Sequence, residues 1–267
     1  MYDLATLEAE LSGTIFSGKL HFSPTTKSTN SDAVEAARAG APNGSVYFVE
    51  EQLAGRGRGG NAWHSAAGDG LYVSILLRTP MSTVRLPLLP LAAGLAAADA
   101  VRATSGLVAD LRWPNDILLG PRKAGGILVE THTEGRALAY AVVGIGINVH
   151  QRNFPHDFAT QATSLDLEAR RRISRQPLLA ALLKSLEREA DALEDPAALA
   201  AIPARVEQTS TWVRGRTVEV HGPQACRGAT IGLDENGFLL VETPTGIVTV
   251  QTGGIREISF QQPASSF

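Results

Sequence analysis

From Gln52 to Gly70 the chain carries six glycines and no apolar periodicity, so its fold has to accommodate a long flexible loop there. At the loop's centre stands Gly55-Arg56-Gly57-Arg58-Gly59-Gly60, a formal match to G-x-G-x-x-G. A dinucleotide site would need a helix to open at this point and an acidic residue about twenty positions on. The next residues, Asn61-Ala62-Trp63-His64-Ser65-Ala66-Ala67-Gly68, are not helical in pattern, and the strand-like Leu71–Leu77 beyond them holds no acid. A phosphate-binding P-loop would need Lys and Ser or Thr where Asn61 and Ala62 stand. A mobile surface loop without function is the bland alternative, and two arginines set among four glycines argue against it. Glycine lets backbone N–H groups approach an anion, and arginine adds a permanent charge with a planar fork. The loop is therefore expected to bind phosphate or carboxylate.

The rest of the composition bounds the function. At 267 residues the chain suggests one large domain or one large and one small, able to bury about three-quarters of its unfolded surface. A formal net charge of −3 gives no electrostatic reason to expect a nucleic-acid partner. A single cysteine, Cys226, excludes an intrachain disulfide and fits a reducing compartment. Met1–Leu11 lacks the basic start and apolar core of a secretion signal. The longest apolar stretch, Leu86–Val101, is broken by Pro87, Pro90 and Asp99 and is too short to span a bilayer. A cytoplasmic enzyme without membrane attachment is the expectation. The six histidines show no zinc-like spacing, so no protein-held transition metal is expected.

Leu4, Leu7 and Leu11 mark a short amphipathic helix within residues 1–16. Lys19–Phe22 reads as a strand and Ser23–Asn30 as a polar loop. Thr29 and Asp32 fit a capping box opening a helix over Ala33–Ala39, which Gly40 ends. Strands are expected at Ser45–Glu50 and Leu71–Leu77, then an Ala-rich helix over Leu88–Thr104. Three strand-like runs come next, Leu107–Trp113, Gly126–His132 and Ala137–Val149, and then helices over Leu178–Leu193 and Pro196–Glu207. Near Trp212 the character changes to short strands at Thr217–His221, Ala225–Leu233, Phe238–Glu242 and Ile247–Gln251, separated by turn residues, as in a small β-barrel. This places a domain boundary between residues 211 and 212, a second domain over 212–262 and a disordered tail at 263–267.

A second polar constellation, Arg112-Trp113-Pro114-Asn115-Asp116, stands at the end of a strand and reads equally as a turn of good turn formers. Lys123 lies seven residues beyond Asp116, ahead of Ala124-Gly125-Gly126-Ile127-Leu128-Val129-Glu130. It could enter a pocket or merely decorate a hairpin. Gly144-Ile145-Gly146-Ile147-Asn148 ends a strand, where glycine marks a bulge or a close backbone approach.

These segments, with Lys27-Ser28-Thr29-Asn30 and Glu51–Gly60 plus Trp63, stand in an order that resembles the biotin–protein ligases. The resemblance spans about residues 15–260. It implies an α+β fold: a class II synthetase-like catalytic domain with a mixed sheet and flanking helices, then a small C-terminal SH3-like barrel. It further implies an enzyme that makes biotinyl-5′-AMP from biotin and Mg-ATP and transfers biotin to a lysine of a biotin carboxyl carrier domain. Only about 27 residues precede Ser28, so the short form without an N-terminal DNA-binding domain is expected. Thr252-Gly253-Gly254-Ile255-Arg256-Glu257 matches the family's barrel-end motif only loosely.

By similarity, Ser28, Thr29, Asn30 and Gln52 contact the ureido ring, Trp63 packs on the ligand, and Gly125 and Gly126 offer backbone to biotin. Arg56, Gly57 and Arg58 fold over the reacting groups, and Lys123 touches the biotin carboxyl or the bridging phosphate oxygen. Asn115 and Asn148 lie near the adenylate, with Arg58, Trp63 and Lys123. Asp116 is implied to orient the acceptor amine or take its proton, although a carboxylate at a turn is more often a cap or a salt-bridge partner. Mg²⁺ would arrive on the nucleotide phosphates. Lipoate–protein ligase, a non-catalytic biotin sensor and a nucleotide-binding oxidoreductase are the competing readings. A homodimer through a sheet edge near Gly126–His132 is also an expectation. Because Arg58 sits in a loop that would shield a water-labile mixed anhydride, Arg58→Gly should still form the adenylate but leak it. Free biotinyl-AMP no higher than with the parent protein would remove the lid role.

Overall fold

The computed structural model describes residues 2–154 and 160–258. Seven strands form one mixed sheet: β1 (Leu20–Thr26), β2 (Val46–Gln52), β3 (Gly70–Leu77), β4 (Asp110–Arg112), β5 (Asp116–Leu119), β6 (Arg122–Glu134) and β7 (Ala137–Asn148). Their spatial order is β1-β2-β3-β7-β6-β5-β4. β1 runs parallel to β2, and the other neighbours are antiparallel. Every residue of β3 is buried, as befits a central strand covered on both faces.

The helices explain that coverage. On one face lies α2 (Thr29–Arg38), whose Ala33 and Ala37 pack on Leu76, Tyr140 and Val142. On the other lie α3 (Leu88–Ser105) and α5 (Arg175–Glu194), with α1 (Leu4–Glu10) and α6 (Pro196–Thr209) outside them. α3 is buried almost all round because alanine and leucine fill it, and Gly106 in the left-handed conformation (φ 77°) ends it. Asp195 caps α6 through Ala197 N–H, with Pro196 in the first turn. α4 (Leu165–Ala169) is short.

From Arg214 the chain forms a second, five-stranded antiparallel sheet: β8 (Arg214–His221), β9 (Cys226–Leu233), β10 (Leu239–Thr243), β11 (Gly246–Val250) and β12 (Gly254–Glu257), in the order β11-β10-β9-β8-β12. Register shifts at Arg214/Thr217 and Leu240/Val241 interrupt its ladders. Val218, Val220, Leu239 and Val241 belong to the same apolar cluster as Leu71, Ile75 and Leu89, so the core runs continuously through both sheets. Among the described residues no helix is long and apolar enough to cross a membrane.

The α+β class, the mixed sheet and most elements agree with the sequence pattern, and the departures have local causes. β1 continues to Thr26 because β2 offers it partners to Gln52, and Pro24 falls at the unpaired step of an edge strand. The capping box is not formed: Ser28 is the N-cap residue and Thr29 the first helical one. Asp32 instead accepts from the Thr26 hydroxyl at 3.0 Å. Leu107–Trp113 contracts to β4, since the short β5 can pair with only three of its residues. β5, β12 and α4 are absent from the sequence pattern; each is too brief to show a period. The tail at 263–267 and His156 lie outside the described residues.

Glu189 on α5 is 3% exposed, and Arg205 of α6 grips both its oxygens at 2.5 and 2.8 Å. Arg205→Ala strands a buried carboxylate and should cost about 3 kcal/mol of stability, read from the urea midpoint. Replacing both partners with leucine should recover most of the loss. An unchanged midpoint in the single variant would show that the pair carries no weight.

Candidate functional site

A cleft opens over β3, β7 and β6, roofed by the N-terminus of α2 and the glycine-rich loop. It encloses about 470 Å³ counting its open mouth. Its floor depends on missing side chains. A Cβ at Gly144 would lie 2.0 Å from Asn30 Oδ1, one at Gly146 would lie 2.5 Å from Trp63 Nε1, and one at Gly126 would lie 3.3 Å from the Trp63 ring. Bare backbone thus lets Asn30 and the indole settle directly on the sheet. The indole N–H is shielded from solvent and has no hydrogen-bond partner among the described residues.

The wall at the α2 end is a hydrogen-bonded network. Ser74, the polar residue in the middle of β3, is fully buried. Its hydroxyl lies 2.6 Å from Asn30 Oδ1 and 2.7 Å from Thr29 Oγ1. One hydroxyl carries one proton, so Ser74 donates to the amide oxygen, which can only accept, and meets Thr29 as an acceptor. Thr29 N–H donates to Gln52 Oε1 at 2.9 Å, and Gln52 Nε2 donates to Ser65 Oγ at 2.8 Å. Asn30 Nδ2 donates to Glu130 Oε2 at 2.8 Å, and Arg56 reaches the same oxygen at 2.8 Å. The network joins α2, β3, β6 and both stems of the loop.

The opposite end carries the charges. Asp116, the first residue of β5, is held on Oδ1 by Lys123 Nζ at 2.5 Å and on Oδ2 by Arg112 at 2.5 and 3.0 Å. Lys123 Nζ sits 5.6 Å from the Trp63 ring centroid, and its backbone bonds residues 161 and 163 on both sides. Asn115 closes the turn with the cis Trp113–Pro114 bond, donating from Nδ2 to Ile127 O at 2.8 Å. Arg58 turns away to the second sheet, donating to Gly253 O and to Thr252 Oγ1 at 2.7 Å. Burial pulls the Arg58 guanidinium below its ordinary pKa, and the charge of Asp116 opposes that pull.

Ser28, Thr29, Asn30, Gln52, Arg56, Gly57, Arg58, Trp63, Asn115, Lys123 and Gly126 line the cleft together, with Asp116 bonded to Lys123 at its rim. Two residues of the expected set do not. Gly125 faces Gly146 O and Ile117, where a Cβ would meet them at 2.8 and 3.0 Å, so the position needs glycine for close strand packing. Asn148 is buried off the cleft and donates to Thr163 O at 3.0 Å. Ser74, Glu130 and Arg112 join the site without having been expected in it. A serine inside an otherwise apolar buried strand is the one signal in the sequence that points to Ser74.

Residues 22–148 match the model of the biotin/lipoate A/B protein ligase family. The bifunctional ligase/repressor BirA of Bacillus subtilis is 33% identical over 236 residues, covering 85% of this chain and 70% of that protein. The biotin–[acetyl-CoA-carboxylase] ligase of Mycobacterium tuberculosis is 32% identical over 239 residues, covering 86% of this chain and 85% of its own length. Among solved structures, the biotin protein ligase of Aquifex aeolicus in complex with biotin and ATP superposes with a TM-score of 0.77 at 28% identity, covering 90% of this chain and 100% of that one. With the glycine-floored cleft, the loop above it and relatives this similar over most of their length, the chain belongs to the biotin protein ligases.

Proposed function

We propose that the protein activates biotin with ATP as biotinyl-5′-AMP, releasing pyrophosphate, and transfers the biotinyl group to a lysine of a biotin carboxyl carrier domain. The observation that carries this reading is the polarity of the cleft. The side chains of Ser28, Thr29, Asn30 and Gln52 stand at one end with the Arg56–Glu130 pair closing over Asn30, an indole over bare backbone lies in the middle, and Lys123 with Asp116 stands at the other. Biotin has the same sequence of parts: a ureido ring, an apolar body and a carboxylate. The volume suits a ligand of that size.

The residues then divide the work. Ser28, Thr29, Asn30 and Gln52 receive the ureido group, and Trp63 covers the bicycle. Two anions must meet in the first step, so positive charge is needed at their junction. Lys123 leaves Asp116 for the carboxylate and the α-phosphate, with Arg56 and Arg58 closing over them. Its departure frees Asp116 Oδ1 to receive and orient the amine of the acceptor lysine in the second step. Mg²⁺ would screen the phosphate charge. Among the described residues no three His, Cys, Asp or Glu side chains gather in one place, so the phosphates themselves would hold most of its ligand sphere. Among the described residues no strand pairs with the outer side of β6 beyond Gly126, where Ile127 N–H still bonds Asn115 O, and Val129–Glu134 is the edge through which a second copy would pair.

Purified protein given biotin, Mg²⁺ and ATP labelled at the α-phosphate should yield labelled biotinyl-AMP, and lipoate in a parallel reaction should yield none. Adenylate with lipoate alone would reassign the substrate. Adenylate with neither, from folded protein, would remove the catalytic reading. Gly146→Ala places a Cβ where the indole now lies. It should weaken biotin binding by about tenfold or more, roughly 1.4 kcal/mol, and shift the tryptophan emission. Unchanged calorimetric affinity would show that Trp63 does not shape the biotin site.

A further inference from the structure

Two cations share Asp116, yet the proposed chemistry needs only one of them to leave. Their surroundings differ. The Lys123 side chain is 29% exposed and faces the cleft, whereas that of Arg112 is 11% exposed. The Arg112 guanidinium lies 5.1 Å from the ring of Trp212, which is itself buried. The same indole receives Arg216 at 5.3 Å, and Arg216 is tied to Glu257 of β12 at 2.6 Å and to Thr211 O at 3.1 Å. Thr211 is bonded through its N–H and hydroxyl to both oxygens of Asp110, two residues before Arg112, at 2.9 and 2.7 Å. Trp212 is therefore fixed from the second sheet and from β4 at once.

We infer that Trp212 is a positioning residue for adenylation: it retains Arg112 on Asp116, so that Lys123 is the cation released to the nucleotide. This rests on the function proposed above. A guanidinium is drawn to phosphate as readily as to carboxylate. An Arg112 free of Trp212 would move toward the incoming phosphates and leave Lys123 bound to Asp116, in competition with the reacting groups. An aromatic face holds a guanidinium by charge–quadrupole attraction without taking the hydrogen bonds that Asp116 needs.

The test compares full-length parent, Trp212→Phe and Trp212→Met. Methionine keeps an apolar, polarisable side chain without an aromatic face, and the thermal midpoint reads the cost of its smaller volume. Biotin affinity without ATP, the thermal midpoint, and kcat and KM for adenylation by pyrophosphate release are measured for each. Trp212→Met should lose roughly tenfold or more in adenylation kcat with biotin affinity unchanged, and Trp212→Phe should recover most of it. Equal kcat in all three would overturn the inference, as would parallel loss of kcat and biotin affinity in both variants. A parent protein that makes no adenylate would instead sink the function itself. Should Trp212→Met not fold, NMR of the parent decides. On adding a stable sulfamoyl analogue of the biotinyl adenylate, the Lys123 Nζ signal should move while the Arg112 Nε–H keeps its ring-shifted position. The reverse pattern would overturn the inference.

Discussion

At Gly144 and Gly146 the central strand β7 presents backbone where other residues would present side chains, and the cleft is assembled on that bare surface. Asn30 rests over the first glycine and the Trp63 indole over the second. Once Asn30 is seated, its amide is oriented by Ser74 on one side and Glu130 on the other. Once Trp63 is seated, the far stem of the glycine-rich loop is anchored, because Trp63 N–H bonds Gly55 O and Ser65 joins Gln52. A loop rich in glycine costs much conformational entropy to order. These contacts restrict it, and Arg56 and Arg58 between them are held by Glu130 and by Thr252 and Gly253.

Charge in the cleft is arranged in pairs that can be exchanged. Arg56 is on Glu130, Lys123 on Asp116 and Arg58 on the second sheet. Each cation has a resting partner, which avoids leaving partly buried charges unpaired. Each partner is also weaker than a polyphosphate would be, so arrival of the nucleotide can redistribute all three. The segments flanking the second sheet's strands take part, Thr252 and Gly253 in the turn before β12 on one side and Trp212 just ahead of β8 on the other. The second sheet's packing against the first is thus connected to the end of the cleft that holds Arg58, Lys123 and Asp116.

The sequence is most legible where a physical requirement is local. The glycine and arginine alternation announces an anion loop, the 3.6-residue period marks the long helices, and the turn-rich end announces short strands. It is least legible where tertiary partners decide. Thr29 has the sequence of a capping residue, but Gln52 and Ser74 claim it. Asn148 has the chemistry of a ligand contact, and in the fold its amide nitrogen donates to Thr163 O. Arg112 looks like part of a turn until the fold brings Asp116 and Trp212 around it. None of these choices is visible in spacing, because each depends on contacts that only the folded chain supplies.

The first sheet is unequal at its two ends. β1 lacks a donor at Pro24, and β4 is three residues long. Backbone groups able to recruit a foreign strand are concentrated in Val129–Glu134, on the unpaired outer half of β6. Proline and shortness each make an edge a poorer template for a further strand. Two copies meeting at Val129–Glu134, as proposed above, would pair the same patch with itself, and a self-complementary contact of that kind closes rather than extends.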